Sequence, residues 1–284
     1  MKLALPTAQL YIPDGAPEAQ ALARTTHLAI GAHQDDLEIM AVDGILEAFG
    51  QPDKWFTGVV MTNGAGSPRT GIYGHYTDEQ MRAVRAQEQK KAAFIGNYAA
   101  QFLLDHPSSA IKDSGNRAPV ADLIAILRAT RPEIVYTHNP ADKHDTHIGV
   151  MLRTLAAIRS LPKKERPRRF YGCEVWRDLD WMLDEDKVAF DVSHYENMQM
   201  ALVSVFDSQV SGGKRYDLAT MGRRRANATY YASHATDRSD LMAFAMNLTP
   251  LIEEDDLDVE AYVRAHIERF ARDVSGRLSR LLRK

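Results

Sequence analysis

Two polar clusters carry the residue types from which metal-assisted hydrolysis is built. One is His33-Gln34-Asp35-Asp36; the other runs from His138 to His147 and holds Asn139, Asp142, His144 and Asp145. Zinc favours imidazole nitrogen and carboxylate oxygen, and its catalytic sites use three protein ligands and leave one position for water. His33 and Asp36, three apart in a turn that enters a helix, can converge on one ion, with one histidine of the second cluster completing the set. Iron or manganese accepts the same donors. Either motif alone is more often a solvated turn or a cap; their joint occurrence points to a metal. Asp35, beside both residues of the first turn, is either an acceptor for a water proton or a helix N-cap.

Such residues need a frame that brings them together. Residues 26–31 form an apolar run ending in glycine, a buried strand, and 37–49 has helical spacing. Strands follow at 55–62, 101–104 and 133–138, and helices at 77–95, 120–130 and 148–158. Thr77 caps the helix that Gly96 ends. This alternation predicts an α/β fold, a Rossmann-like, mostly parallel sheet flanked by helices. Open sheets of this kind bind ligands beyond the carboxyl ends of their strands, where both clusters fall. The charged, proline-containing stretch 163–169 separates a core at about 25–160 from a C-terminal elaboration at about 165–284, within one domain spanning 1–284. That elaboration begins with strand-like pieces at 169–175 and 188–192, continues with a helix at about 194–207, and ends in an amphipathic helix from about 259 to 282 with a basic end.

The chain has 284 residues, 45% hydrophobic and 26% charged, with a net charge of −3 and one cysteine. A chain of this length buries enough surface to fold without a structural metal, so a metal site is free to be functional. The scattered bases argue against nucleic acid and an anionic membrane as partners. Cys173 alone excludes an internal disulfide and a cysteine-only zinc cluster. With no apolar run of signal-peptide or membrane-spanning length, the expected location is cytoplasmic.

At the two clusters the sequence resembles the LmbE-like, or PIG-L, family of metal-dependent de-N-acetylases. The family's AHPDDE motif aligns with Ala32-His33-Gln34-Asp35-Asp36-Leu37, and its HPDH-type motif with His144-Asp145-Thr146-His147. Arg85, Glu88 and Ile95-Gly96 look like a third family element, so the resemblance covers roughly 25–160 and extends faintly to 222–234. It implies a Rossmann-like fold and hydrolytic removal of acetyl groups from N-acetylglucosamine-type sugars. By similarity His33, Asp36 and His147 are the metal ligands, Asp35 is the general base, and His144, preferably protonated, stabilises the oxyanion. Gln34 replaces the family proline, Leu37 the usual glutamate (with Glu38 one residue later), and Thr146 an aspartate. The acid that would orient His144 is then Asp142 or Asp145.

The expectation is therefore a zinc-dependent deacetylase, with another divalent metal as an alternative ion, acting on a small-molecule N-acetylated sugar. The alternatives are an amidase acting on another small conjugate, or a non-catalytic Rossmann-like sugar- or nucleotide-binding module. No GxGxxG follows the first strand, which counts against the last. Substrate contacts are expected from Arg85, Asn63, Asn139 and Trp176, although Arg85 also has the spacing of a surface pair with Glu88. The 211–216 stretch resembles a mobile anion-binding lid, although a plain glycine turn with solvated bases is the simpler reading, and the long amphipathic last helix suggests a homo-oligomer.

Overall fold

Strands that are apolar without alternation must be covered on both faces. The computed structural model, which describes residues 1–283, places them so. The strands are β1 (Gln9–Tyr11), β2 (His27–Gly31), β3 (Phe56–Thr62), β4 (Ala100–His106), β5 (Ile134–His138), β6 (Arg169–Cys173), β7 (Lys187–Asp191) and β8 (Met242–Asn247). They form an eight-stranded sheet in the order β1-β4-β3-β2-β5-β6-β8-β7. The central run β4-β3-β2-β5-β6 is parallel, while β1, β7 and β8 pair antiparallel at the two sides. Alternate residues sort to two cores. Leu28 and Ile30 of β2 join Val59, Phe102, Val135 and Phe170 on one face; Ala29 joins Val60, Leu103 and Tyr136 on the other.

From β2 the chain proceeds outward through β3 and β4; from β5 it proceeds the opposite way to β6. This reversal between adjacent parallel strands opens a crevice at their carboxyl ends. The turn after β2 and the loop after β5 meet there.

The helix expected over 37–49 is two, Asp36–Met40 and Val42–Ala48. The buried Arg224 guanidinium explains the break: its Nη2 donates to the carbonyls of Glu38 and Ile39, which a continuous helix would use internally. The helix expected from 148 begins earlier, as Asp145–Arg159, with His144 as its N-cap residue. Two strands were not anticipated. β1 has only three residues, and β8 is built largely of Met and Ala, which carry little strand preference. The last helix, Val259–Leu282, has no buried residue. No helix of the described residues is long and apolar enough to cross a membrane.

Candidate metal and catalytic site

The turn after β2 is held in a conformation that few side chains adopt. Asp35 has φ 93°, in the left-handed region. It occupies the N-cap position of the helix Asp36–Met40, yet its carboxylate makes no capping bond. Its Oδ2 instead faces Arg85 Nη1 at 3.3 Å, and Arg85 Nη2 donates to the Gln34 carbonyl. Gln89, one turn further along the helix Asp78–Ile95, accepts the Asp35 N–H through Oε1 at 3.2 Å. Its own amide donates to Glu38 Oε1 at 2.8 Å, an oxygen that also accepts from the Tyr98 hydroxyl. Gln89 thus joins a fully buried acid to the strained turn. Gln89→Leu removes the partner of a buried N–H and of a buried carboxyl group. It is expected to lower unfolding stability by roughly 2–4 kcal/mol, read from urea melts.

Inside this turn the donors converge. His33 Nδ1 and His147 Nε2 are 3.2 Å apart, and Asp36 Oδ2 lies 3.4 Å from the first and 3.5 Å from the second. Ligand atoms about 2.1 Å from a tetrahedral zinc ion are separated by about 3.4 Å, so the spacing of these three atoms fits a divalent ion with one coordination position left over. Asp36 Oδ2 also accepts the His33 N–H at 2.7 Å, which closes the turn. His147 Nδ1 faces Asp142 Oδ2 at 3.5 Å, the arrangement in which a carboxylate orients a metal-binding imidazole.

His138, which sequence reasoning did not single out, lies fully buried 3.4 Å from Asp36. It also belongs to a possible donor group with Asp36 and His147. Its Nε2 accepts the Ala32 N–H at 2.9 Å, so that lone pair is engaged in shaping the turn. Burial pulls His138 down to about 4, keeping it neutral. Burial pushes Asp36 up, but the charge of His147 outweighs it and holds Asp36 well below the usual carboxylate range. Burial pushes Asp35 up to about 7 against the pull of Arg85. Glu38 rises to about 8 for the same reason, despite its two donors.

A cavity of about 580 Å³ opens from these residues, a size suited to a small molecule. His33, Asp35, Asp36, Asn63, Arg85 and His144 line it from the parallel core. Trp176, Lys214, Tyr216 and Arg223 line it from the C-terminal section. The Lys214 ammonium sits 4.9 Å from the Trp176 ring centroid, and Tyr216 meets that ring edge-on.

Several expectations need correcting. Asn139 does not reach the cavity; its amide donates to the Cys173 and Arg177 carbonyls and its Oδ1 accepts the Ala141 N–H. Asp142 orients His147 rather than the His144 ring: its Oδ1 accepts the His144 backbone N–H and its Oδ2 the Trp176 N–H. Asp145 is exposed at the first turn of its helix and orients neither histidine. His144 needs no protonation to donate. Its Nδ1 accepts the Thr146 N–H at 3.3 Å, which leaves the proton of the neutral ring on Nε2. Arg85 and Glu88 form no surface pair. Both are buried, and Glu88 accepts from the Ser208 N–H and hydroxyl, anchoring the segment that leads to Lys214. The 211–216 stretch, read as a solvated turn, forms part of the cavity wall. Lys112 and Arg223 had no local signal, and the lid-like look of 211–216 was outweighed by the plain-turn reading; the fold brings all of them to the crevice.

Comparison with known proteins gives three kinds of match. Residues 28–158 match the family model described as PIG-L, GlcNAc-PI de-N-acetylase. The uncharacterized deacetylase YaiS of Escherichia coli is 28% identical over 150 residues, which cover 53% of this chain and 77% of that protein. Among solved structures, N,N'-diacetylchitobiose deacetylase from Pyrococcus horikoshii superposes with a TM-score of 0.61 at 14% identity, covering 88% of this chain and 93% of that one. GalB, the 4-carboxy-2-hydroxymuconate hydratase of Pseudomonas putida, does so at 0.59 and 17%, covering 79% and 95%. At these identities the structural matches show a shared fold.

Proposed function

We propose, from the match of residues 28–158 to the PIG-L (LmbE-like) de-N-acetylase family model, that the chain is a zinc-dependent hydrolase that removes the acetyl group from an N-acetylglucosamine-type sugar. The fold carries hydratase and deacetylase alike, so the reaction is argued from the site. The observation that carries it is the triangle of His33 Nδ1, Asp36 Oδ2 and His147 Nε2, with edges of 3.2 to 3.5 Å, bordering the cavity. Zinc is the proposed ion, and the donor set also suits iron or manganese. A divalent ion held there would supply Lewis acidity for the acyl carbonyl and lower the pKa of a water.

The chain's own groups do the rest in this reading. Asp35, whose carboxylate faces the cavity and caps nothing, takes the proton of the attacking water. As the carbon–nitrogen bond breaks, it delivers that proton to the departing amine, so the products are acetate and the free amino sugar. His144 Nε2–H donates to the oxyanion that develops on the carbonyl oxygen. Arg85 and Gln89 hold Asp35 in place. Asn63 keeps its amide N–H groups free for a sugar hydroxyl, because only its Oδ1 is engaged, by Ala65. Trp176 offers a ring face, and the chain works in the cytoplasm as a homo-oligomer. The test is acetate release from an N-acetylglucosamine glycoside by metal-loaded protein. No acetate from any N-acetylated sugar in a panel sinks the proposal.

A further inference from the structure

Three basic side chains besides Arg85 line the cavity. Lys214 and Arg223 enter it from the C-terminal section, beyond residues 28–158, and Lys112 enters from the short helix Ser108–Lys112. Among the described residues none of the three ion-pairs with a carboxylate. The cavity's acids are already engaged, Asp36 within the histidine cluster and Asp35 by Arg85. Glu174, whose charge Arg223 feels, turns its carboxylate to the N–H groups of Leu179 and Phe244 and to the Asn227 amide. The cations are also fixed in place: Lys214 by the Trp176 ring, and Arg223 by the Val175 carbonyl, to which Nη1 donates. Cations that line one cleft focus a field that selects anions.

We infer that the substrate carries an anionic substituent, a phosphate or a carboxylate, held by Lys214, Arg223 and Lys112. This rests on the deacetylase reading. Three probes test it: N-acetylglucosamine 1-phosphate, N-acetylmuramic acid as the carboxylate, and the neutral methyl glycoside of N-acetylglucosamine. At least one anionic probe is expected to exceed the neutral one about tenfold or more in kcat/KM, mainly through KM. Whichever leads identifies the anion. Lys214→Met and Arg223→Met should each draw that ratio toward one, and Lys214→Arg should restore it. Equal kcat/KM for the three probes, with acetate released from all, overturns the inference and leaves the deacetylase reading standing. If no probe releases acetate the deacetylase reading fails. Calorimetric binding of the phosphate probe then decides the subsite: binding lost in Lys214→Met supports it, and no binding overturns it.

The helix Val259–Leu282 separately leaves an apolar stripe without a partner in the chain. Val263, Ile267 and Phe270 are repeated eleven residues later by Val274, Leu278 and Leu281, the spacing that keeps a stripe on one side of a nearly straight helix. Ile267 is 49% exposed, Leu278 55% and Leu281 78%. The helix is tied to the body near its start by the Tyr262 hydroxyl on the Asn247 carbonyl, and at its middle by Arg269 on Glu185 and Asp186. Charge runs along it in one direction. Residues 253–260 hold six acids and no base, Asp255 already pairing with Arg166, whereas 277–283 holds Arg277, Arg280 and Arg283 and no acid.

We propose that the occupant of this stripe is the same helix of a second copy, packed antiparallel about a two-fold axis near Phe270. That arrangement sets acidic ends against basic ends, whereas a parallel one sets like against like. Light scattering is expected to give twice the 31.8 kDa chain mass. The double variant Phe270→Glu/Leu278→Glu should be monomeric with unchanged helix content by circular dichroism. A Phe270→Cys variant should cross-link to its own copy on oxidation, and Leu281→Cys should not. A monomeric native chain, a dimer that survives the double variant, or preferential cross-linking through Leu281→Cys overturns the proposal. So does a monomer that sediments with phosphatidylserine vesicles.

Discussion

Asp36→Ala is expected to leave the chain without its metal ion and to reduce acetate release by on the order of 10⁴-fold. The size follows from geometry. Asp36 Oδ2 is the corner shared by two edges of the donor triangle, 3.4 Å from His33 and 3.5 Å from His147, so its removal takes away the anionic ligand and leaves two of the three proposed donors. The same oxygen accepts the His33 N–H, so part of the loss could come from a loosened turn. Asp142→Ala separates the two effects. It leaves the three donors in place and removes the carboxylate facing His147 Nδ1. Metal affinity should then fall only about 10- to 100-fold, and excess zinc should restore activity. Elemental analysis before and after chelation measures both variants. Asp36→Ala protein with one ion per chain, or chelated native protein that still releases acetate, would falsify the ligand assignment.

The candidate metal turn could be proposed from the sequence because everything it needs is local. His33, Asp35 and Asp36 sit within four residues, right after an apolar run that had to be a strand, and His144 and His147 stand at the matching place after another. The parallel core was legible for a related reason: strands buried on both faces are largely apolar. What escaped the sequence depends on contacts across the chain. Nothing near Arg224 says that it will end a helix 185 residues earlier in the chain. Nothing near Gln89 says that it will hold Asp35. Asn139 stood at a strand end, where pockets open, but a loop there also needs its own backbone satisfied, and Asn139 does that by bonding the Cys173 and Arg177 carbonyls. Glycine and solvated bases in 211–216 looked like an ordinary turn, because the Glu88–Ser208 bonds that pin this segment over the cavity connect positions 120 residues apart.

Asp35→Asn is expected to keep the metal and the fold while lowering kcat by about 10²- to 10⁴-fold, the usual worth of a positioned proton acceptor. Asparagine is the informative replacement because it tolerates the left-handed region as aspartate does, so the φ of 93° survives the change. The Asp35 backbone N–H still reaches Gln89, and the new side-chain oxygen still accepts from Arg85. What disappears is the ability to take a proton. Alanine would be harder to read, since it strains the turn and strips Arg85 of its partner, and a buried cation left alone is itself destabilising. The loss should therefore fall on kcat with little change in KM, in protein that binds one metal ion per chain and melts near the native temperature. Acetate release within about threefold of native would show that Asp35 is not the base. In that case its unusual backbone and the Arg85–Gln89 clamp would serve only to aim its neighbours His33 and Asp36.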